Sequence, residues 1–304
     1  MAQLKQVFWV FQLCFCYMWL VGEKETSMAK RKRENTSDTV DRRVKEGRGI
    51  GRGVDYKPWL LVQDVPSQGL ASRVKGVKTG RVHHLLSQLE HRCFLILDWS
   101  ERVTDIREQY PLLPLEETFA LAESLGIKHP RDPKTQNPIV LTSDFLITVK
   151  QGDTLAEQVL SIKPSNDLSN SRVLEKLELE RQYWEKRKVP WHIVTEQDLP
   201  ATLVKNLEWL YPYRFSNVLS PLTDSEIYRV RRGLEQELLR CEPLSTTANA
   251  VDDRLGLEPG TSLSVTRYLL ATRTWRVNLL DPIHLVEPLV LLHHVVPESE
   301  VDVS

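Results

Sequence analysis

The sequence predicts an α/β protein in which a mixed sheet is flanked by helices, followed by a mostly α, winged-helix-like region. Three observations carry that reading. Up to about residue 200, apolar residues recur at helical spacing in some stretches and at strand spacing in others. At 142–163 two alternating runs, Phe145–Val149 and Leu155–Lys163, are joined through Gly152 and Asp153, the composition of a β-hairpin. Past residue 200 the order is helix, turn, helix and a short β return.

A chain of 304 residues has room for two domains at roughly 100–200 residues each. With 41% hydrophobic and 27% charged residues, the composition is that of a globular protein. A formal net charge of -1 excludes a globally cationic surface for nucleic acid or membrane, so any basic patch has to be local. Cys93 and Cys241 lie far apart without metal-ligand spacing, which fits a reducing, cytoplasmic location and no structural zinc.

Residues 1–27 form a hydrophobic N-terminal extension, Lys5 followed by an apolar run from Val7 to Gly22 that includes Cys14 and Cys16. The run lacks a small-residue cleavage pattern and falls short of the ~20 residues of a spanning helix. Met28 offers a second start, so the extension is expected not to be native and no stable membrane association is expected; a true anchor is the alternative. Residues 28–55 read as a basic flexible arm. Its cations Lys30, Arg31, Lys32, Arg33, Arg42, Arg43, Lys45, Arg48 and Arg52 are interleaved with Gly47, Gly49, Gly51 and Gly53. Such an arm lies along phosphates, and a solvated tail is the alternative of equal standing.

The domain at 56–200 follows. From Arg81 to about Ser100, Val82, Leu85, Leu86, Leu89, Cys93 and Phe94 recur at three- and four-residue intervals, predicting a helix that carries Glu90. His83, His84 and His91 flank Glu90, but His84 meets Gln88 and no second histidine at i, i+4, so they are read as surface histidines. "LILDW" and "VTDIREQYPLL" read as strand-like runs, with Pro111 and Pro114 at the exit; "LEETFALAESLGI" reads as a helix ending at Gly126.

In the second strand of the hairpin, Glu157, Val159, Ser161 and Lys163 share one face. With Asp144 beside them, a hard divalent cation would find that carboxylate, Glu90 from the helix, the backbone carbonyl of Ile162 and waters. Lys163 would then orient or deprotonate an attacking water, the arrangement that metal-assisted phosphodiester hydrolysis requires. Ordinary solvated turn residues explain the same spacing. Glu157 lies four residues from Ser161, roughly 13 Å along a strand, too far to take over its position.

"LEKLELERQYW" reads as an amphipathic helix with Leu174, Leu177 and Tyr183 or Trp184 inward and Glu175, Glu178, Arg181 and Glu185 outward. Glu178 and Glu180 could approach a metal, but a solvated helix face is the preferred reading and both stay outside the expected site. A short strand, Trp191–Thr195, closes the domain near Pro200. At 201–284, "ATLVKNLEWLY" forms a connecting helix and Thr223 or Asp224 caps a helix reaching about Arg240. Two short helices around the Gly256–Gly260 turn and a strand at Thr274–Leu280 complete the winged-helix-like plan. There Ser264, Arg267 and Arg273 would face DNA; a protein-docking module with those arginines on a solvated face is the alternative. Residues 285–304, an apolar patch ending in acids, read as a docking tail in which His293 and His294 have no ligand spacing.

Several blocks, in the order in which they stand here, resemble the TnsA family of transposase endonucleases. They are "YKPWL" at 56–60, "KTGRVHHLLSQLE" at 78–90, "DIREQYPLLP" at 105–114, "GIKHP" at 126–130, "SDFL" at 143–146 and "LEKLELERQYW" at 174–184. The resemblance spans about residues 44–210. It implies a restriction-endonuclease-like core that uses Mg²⁺, with Mn²⁺ able to substitute, to cleave transposon-end DNA at the 5′ ends. Its partners would be a DDE-type recombinase subunit and an AAA+ ATPase regulator. The family's helix glutamate falls on Glu90, its hairpin aspartate on Asp144 and its strand lysine on Lys163. Where the family carries glutamine, this chain has Ser161, a shorter neutral ligand that would reach a metal through water. Lys78 and Arg81 are expected to join Lys30, Arg31, Lys32, Arg33, Arg42, Arg43, Arg48 and Arg52 as DNA contacts. Two functions follow, a nuclease active within an assembled complex or a catalytically weakened adaptor between recombinase and ATPase; a free-standing restriction or repair nuclease, cutting without partners, is a weaker third.

Overall fold

The computed structural model describes residues 37–65 and 70–294. The extension at 1–27 and the cations Lys30, Arg31, Lys32 and Arg33 lie outside the described residues. Two compact units divide the chain between Leu199 and Pro200. No helix among the described residues is long and apolar enough to cross a membrane.

The first unit opens with helix α1 (Ser37–Lys45) and a two-stranded ladder, β1 (Ser72–Lys75) with β2 (Val82–Leu85). Helix α2 (Gln88–Trp99) leads to a four-stranded sheet of β3 (Val103–Pro111), β4 (Thr142–Gln151), β5 (Thr154–Ile162) and β6 (Trp191–Val194), in that spatial order. The first three strands pair antiparallel; β6 joins β5 in parallel. A parallel partner needs a crossover, and helix α4 (Ser171–Lys186) supplies it. Helix α3 (Leu115–Ser124) packs beside α4. Leu112, Leu121, Leu146, Val159, Leu179, Tyr183 and Trp184 form one apolar cluster that ties both helices to the sheet. Phe145, Ile147 and Val149 are also buried, so β4 is covered on both faces and its apolar run is nearly continuous.

Three expectations change here. Residues 82–85 are a strand, not the first turn of a helix. The helix starts after Ser87, which accepts a hydrogen bond from Glu90 N (3.1 Å) as its N-cap. "LILDW" is the end of that helix, not a strand, and its Asp98 turns inward to accept Val77 N (3.1 Å) and Lys78 N (3.0 Å). The described part of the basic arm is folded onto the unit: Gly49 N donates to Lys57 O (2.6 Å) and Gly53 N to Asp105 Oδ1 (3.1 Å). Gly49 has φ +80°, and a Cβ there would collide with the Pro111 ring, so both the conformation and the space demand glycine.

The second unit contains α5 (Ala201–Leu210), α6 (Asp224–Leu238), α7 (Leu244–Leu255) and α8 (Thr261–Ala271) around Leu207, Leu234, Val251, Val265 and Trp275. The turn between α7 and α8 uses Gly256 (φ +65°) and Gly260 (φ +91°). Buried Asp252 receives Gly260 N and Ser262 N (both 2.8 Å), which satisfies the start of α8. The expected strand at Thr274–Leu280 shrinks to β7 (Trp275–Arg276), because its partner β8 (His293–His294) offers only two residues. Tail carbonyls of Leu285 and Glu287 accept the first amides of α7, Ser245 N (2.8 Å) and Leu244 N (2.9 Å).

Candidate active site

The hairpin register pairs Phe145 with Leu160, and one step further sets Asp144 across from Ser161, next to Ile162 and Lys163. Asp144 Oδ2 accepts hydrogen bonds from Ile162 N (2.6 Å) and Lys163 Nζ (2.7 Å). Lys163 Nζ also donates to Ile162 O (2.7 Å), so one ammonium bridges the carboxylate and the carbonyl. Burial works against the Lys163 charge, but Asp144, Glu180 and Glu90 outweigh it and hold its pKa above the ordinary lysine value. Lys163 is therefore an ammonium at neutral pH.

Glu90 stands in the first turn of α2, buried. Its Oε1 accepts Ser87 Oγ (2.9 Å), and its Oε2 accepts Leu86 N (2.9 Å) and Gln109 Nε2 (3.1 Å). Burial, and then the charge of Asp144, push its pKa up to about 7. Gln109 holds that bond from a left-handed backbone conformation, φ +50°, inside β3, between residues paired with Phe145 and Ser143. A non-glycine residue at positive φ is strained and persists only where its surroundings fix it.

Sequence reasoning set Glu180 aside in favour of a solvated helix face. Glu180 is buried on α4, and its Oε2 accepts Ser161 Oγ (2.9 Å). Burial and Asp144 push its pKa up to about 7, against the opposing pull of Lys163. The signal was present: Leu177, Glu180 and Trp184 fall at i, i+3, i+7, the spacing of a core-facing stripe. Leu174, expected inward, is exposed.

The structure thus brings together Glu90, Asp144, Lys163 and Glu180. Ser161 is fully buried and donates its hydroxyl hydrogen to Glu180 Oε2. Among the described residues no three His, Cys, Asp or Glu side chains converge as metal ligands. The oxygen pair of Asp144 and Ile162 does suit a hard cation, since the Lys163 ammonium already bridges it. Both carboxylate oxygens of Glu90 accept hydrogen bonds from Leu86, Ser87 and Gln109, and the Ser161 hydroxyl donates to Glu180.

The histidines are not surface groups flanking Glu90. His83 is fully buried on β2 between Glu108 (2.8 Å) and Thr79 (2.7 Å). His84 Nδ1 accepts Val62 N (3.2 Å), and burial pushes the His91 pKa down to about 4.

Several of the expected DNA contacts are turned inward. Arg81 grips the buried carboxylate of Glu108 with two nitrogens (2.7 and 2.5 Å) and stacks over Tyr56. Arg43 lies buried over Trp59, and Arg48 donates to Trp59 O (3.1 Å) and to Asp64. Both compact the segment where free cations were expected. Arg42 and Arg52 remain exposed, paired with Glu46 (3.6 Å) and Glu157 (2.6 Å). Lys78 is half-buried at the turn that Asp98 holds. In the second unit, Arg267 is sandwiched between Trp209 and Tyr213 and donates to Trp209 O (2.6 Å), so it does not present a guanidinium to DNA. Tyr213 also meets Ser264 (3.4 Å), and Arg273 sits in the turn after α8 with φ +62°.

Comparison with known proteins places these residues in context. Residues 100–196 match a family profile described as TnsA-like endonuclease N terminal, and residues 198–279 one described as TnsA endonuclease C terminal. Over 252 residues the chain is 40% identical to Transposon Tn7 transposition protein TnsA of Escherichia coli, covering 83% of this chain and 90% of that one. Asp144, Ser161, Lys163 and Glu180 lie inside the first matched span; Glu90 lies before it.

Proposed function

The chain belongs to the TnsA endonuclease family, and on that premise we propose that Asp144 and Lys163, flanked by Glu90 and Glu180, form its centre of phosphodiester hydrolysis. It is a DNA endonuclease with a restriction-endonuclease-like catalytic domain. The observation that supports this centre best is the Asp144–Lys163–Ile162 bridge, an acid, a cation and a carbonyl held together at one end of the hairpin.

Asp144 and the Ile162 carbonyl would hold a divalent cation, Mg²⁺ by this reading with Mn²⁺ as substitute. Such an ion supplies charge neutralisation on the phosphate and a lowered water pKa. Lys163 carries a fixed charge, so it acts as a hydrogen-bond donor to a phosphate oxygen and not as a general base. Glu90 is anchored by Ser87, Leu86 and Gln109, and sets the electrostatic background of Asp144. Glu180 does the same from the opposite helix. The substrate of this reading is transposon-end DNA, cut at its 5′ ends alongside a DDE-type recombinase and an AAA+ ATPase regulator.

A second reading, a weakened adaptor, is favoured by one observation: Ser161 gives its hydrogen to Glu180 and leaves the metal side without a side-chain amide. Lys163→Ala and Ser161→Gln separate the two in a 5′-end nicking assay with the recombinase partner and Mg²⁺. Loss of nicking in Lys163→Ala supports the nuclease. An inactive wild type rescued by Ser161→Gln supports the adaptor.

A further inference from the structure

Among the described residues of the N-terminal segment, Arg42, Arg43, Arg48 and Arg52 are each engaged with a carboxylate or a ring, so the grip on the DNA backbone is sought elsewhere. On α4, Arg172, Lys176 and Glu180 stand at i, i+4 and i+8, one ridge whose steps rise about 6 Å each. Glu180 touches Ser161 in the floor of the proposed site, so Lys176 lies one turn away from it and Arg172 two. Lys176 is exposed and has no hydrogen bond or ion pair among the described residues. Partial burial of its stem, and then the charges of Arg172 and Lys163, lower its pKa from the ordinary lysine value.

Beside Arg172 runs the loop that begins at Gly126. Arg172 Nη2 donates to Lys128 O (2.7 Å), and its Nη1 is held by Glu175. Lys128, His129, Arg131, Gln136, Arg172 and Glu175 line an open surface depression of about 400 Å³. The loop is fixed by His129, which stacks on Phe119 (4.2 Å) and bonds the Thr118 hydroxyl (2.9 Å). The Lys128 ammonium is exposed, with no ion pair among the described residues.

We propose that the sugar-phosphate backbone of the DNA leading to Asp144 and Lys163 is held on the cationic ridge of Arg172 and Lys176, with Lys128 of the adjoining loop. The proposal rests on the active-site reading above and adds the direction from which the strand arrives: along α4 toward its Glu180 turn. These contacts are sequence-independent, because they meet phosphates and not base edges.

Binding of a generic DNA duplex by the full chain, in chelator and across a salt series, tests it without requiring cleavage. Each lost phosphate contact lowers the slope of log K against log salt by about 0.9. Lys176→Gln and Lys128→Gln should each lower it by about that amount, and the double variant by about twice that. Lys176→Arg and Lys128→Arg should keep the wild-type slope. Lys150→Gln, at the other end of β4, should change nothing. An unchanged slope and affinity in the double glutamine variant would overturn the ridge, as would no duplex binding by wild type at low salt. If Asp144→Ala abolishes cutting while the slopes stay fixed, the ridge fails and the site stands. If Asp144→Ala still cuts, the site itself is wrong.

Discussion

Beside Asp144 stand two carboxyl groups, Glu90 and Glu180, whose pKa values burial, and then the charge of Asp144, push up to about 7. An acid whose folded pKa exceeds its unfolded value binds more protons folded than unfolded, so its contribution to stability falls as pH rises from about 4.5 to about 7. Glu180→Gln mimics the protonated acid. It should therefore melt above wild type at pH 8 and level with it at pH 5, measured in chelator; equal shifts at both pH values would rule out the electrostatic cause. Glu108 shows the opposite sign. Burial disfavours its charge, but His83 and Arg81 outweigh burial and hold its pKa down at about 2, so its stabilisation is present above about pH 4.5 and lost as pH falls through about 2. Arg81→Gln strands that buried carboxylate and should cost about 3–5 kcal/mol in denaturant unfolding. In sequence, Arg81 resembled a phosphate contact because nothing local reveals a partner 27 residues away in β3. Glu180 was hidden among the charges of its helix, although its place in the Leu177–Trp184 stripe marked it as inward.

The hairpin was readable because period-two alternation and a Gly152–Asp153 turn act over a few residues and point the same way. The start of α2 was not. Val82, Leu85, Leu86 and Leu89 fit helical spacing, yet 82–85 pair with β1, and tertiary pairing overrode the local period. The apolar run at 95–99 was equally ambiguous, since a buried helix end and a buried strand share that composition. The decisive local signal is Ser87 with Glu90 three residues on, a cap whose carboxylate also enters the proposed site. Ser87→Ala should cost about 1 kcal/mol of stability, and by freeing Glu90 should also lower the cutting rate. Ser87→Asp, which caps but repels Glu90, should restore stability more than activity; recovery of both together would show that the serine matters only as a cap.

Across the whole molecule, a net charge of -1 gives no hint of a nucleic-acid enzyme, and the acids and cations matter only where the fold gathers them. The family match covers both units, which gives the second a family assignment that its helices and short β7–β8 ladder would not supply. A divalent cation at Asp144 should stabilise the chain most where Glu90 and Glu180 are ionised. Mg²⁺ should thus raise the melting temperature more at pH 8 than at pH 5, and a pH-independent shift would argue for binding elsewhere. The most direct test of the central claim is 5′-end cutting of transposon-end DNA by the full chain with its recombinase partner and Mg²⁺, wild type against Asp144→Ala. The site described here predicts cutting by wild type and none by Asp144→Ala with recombinase joining intact; undiminished cutting by Asp144→Ala would contradict it.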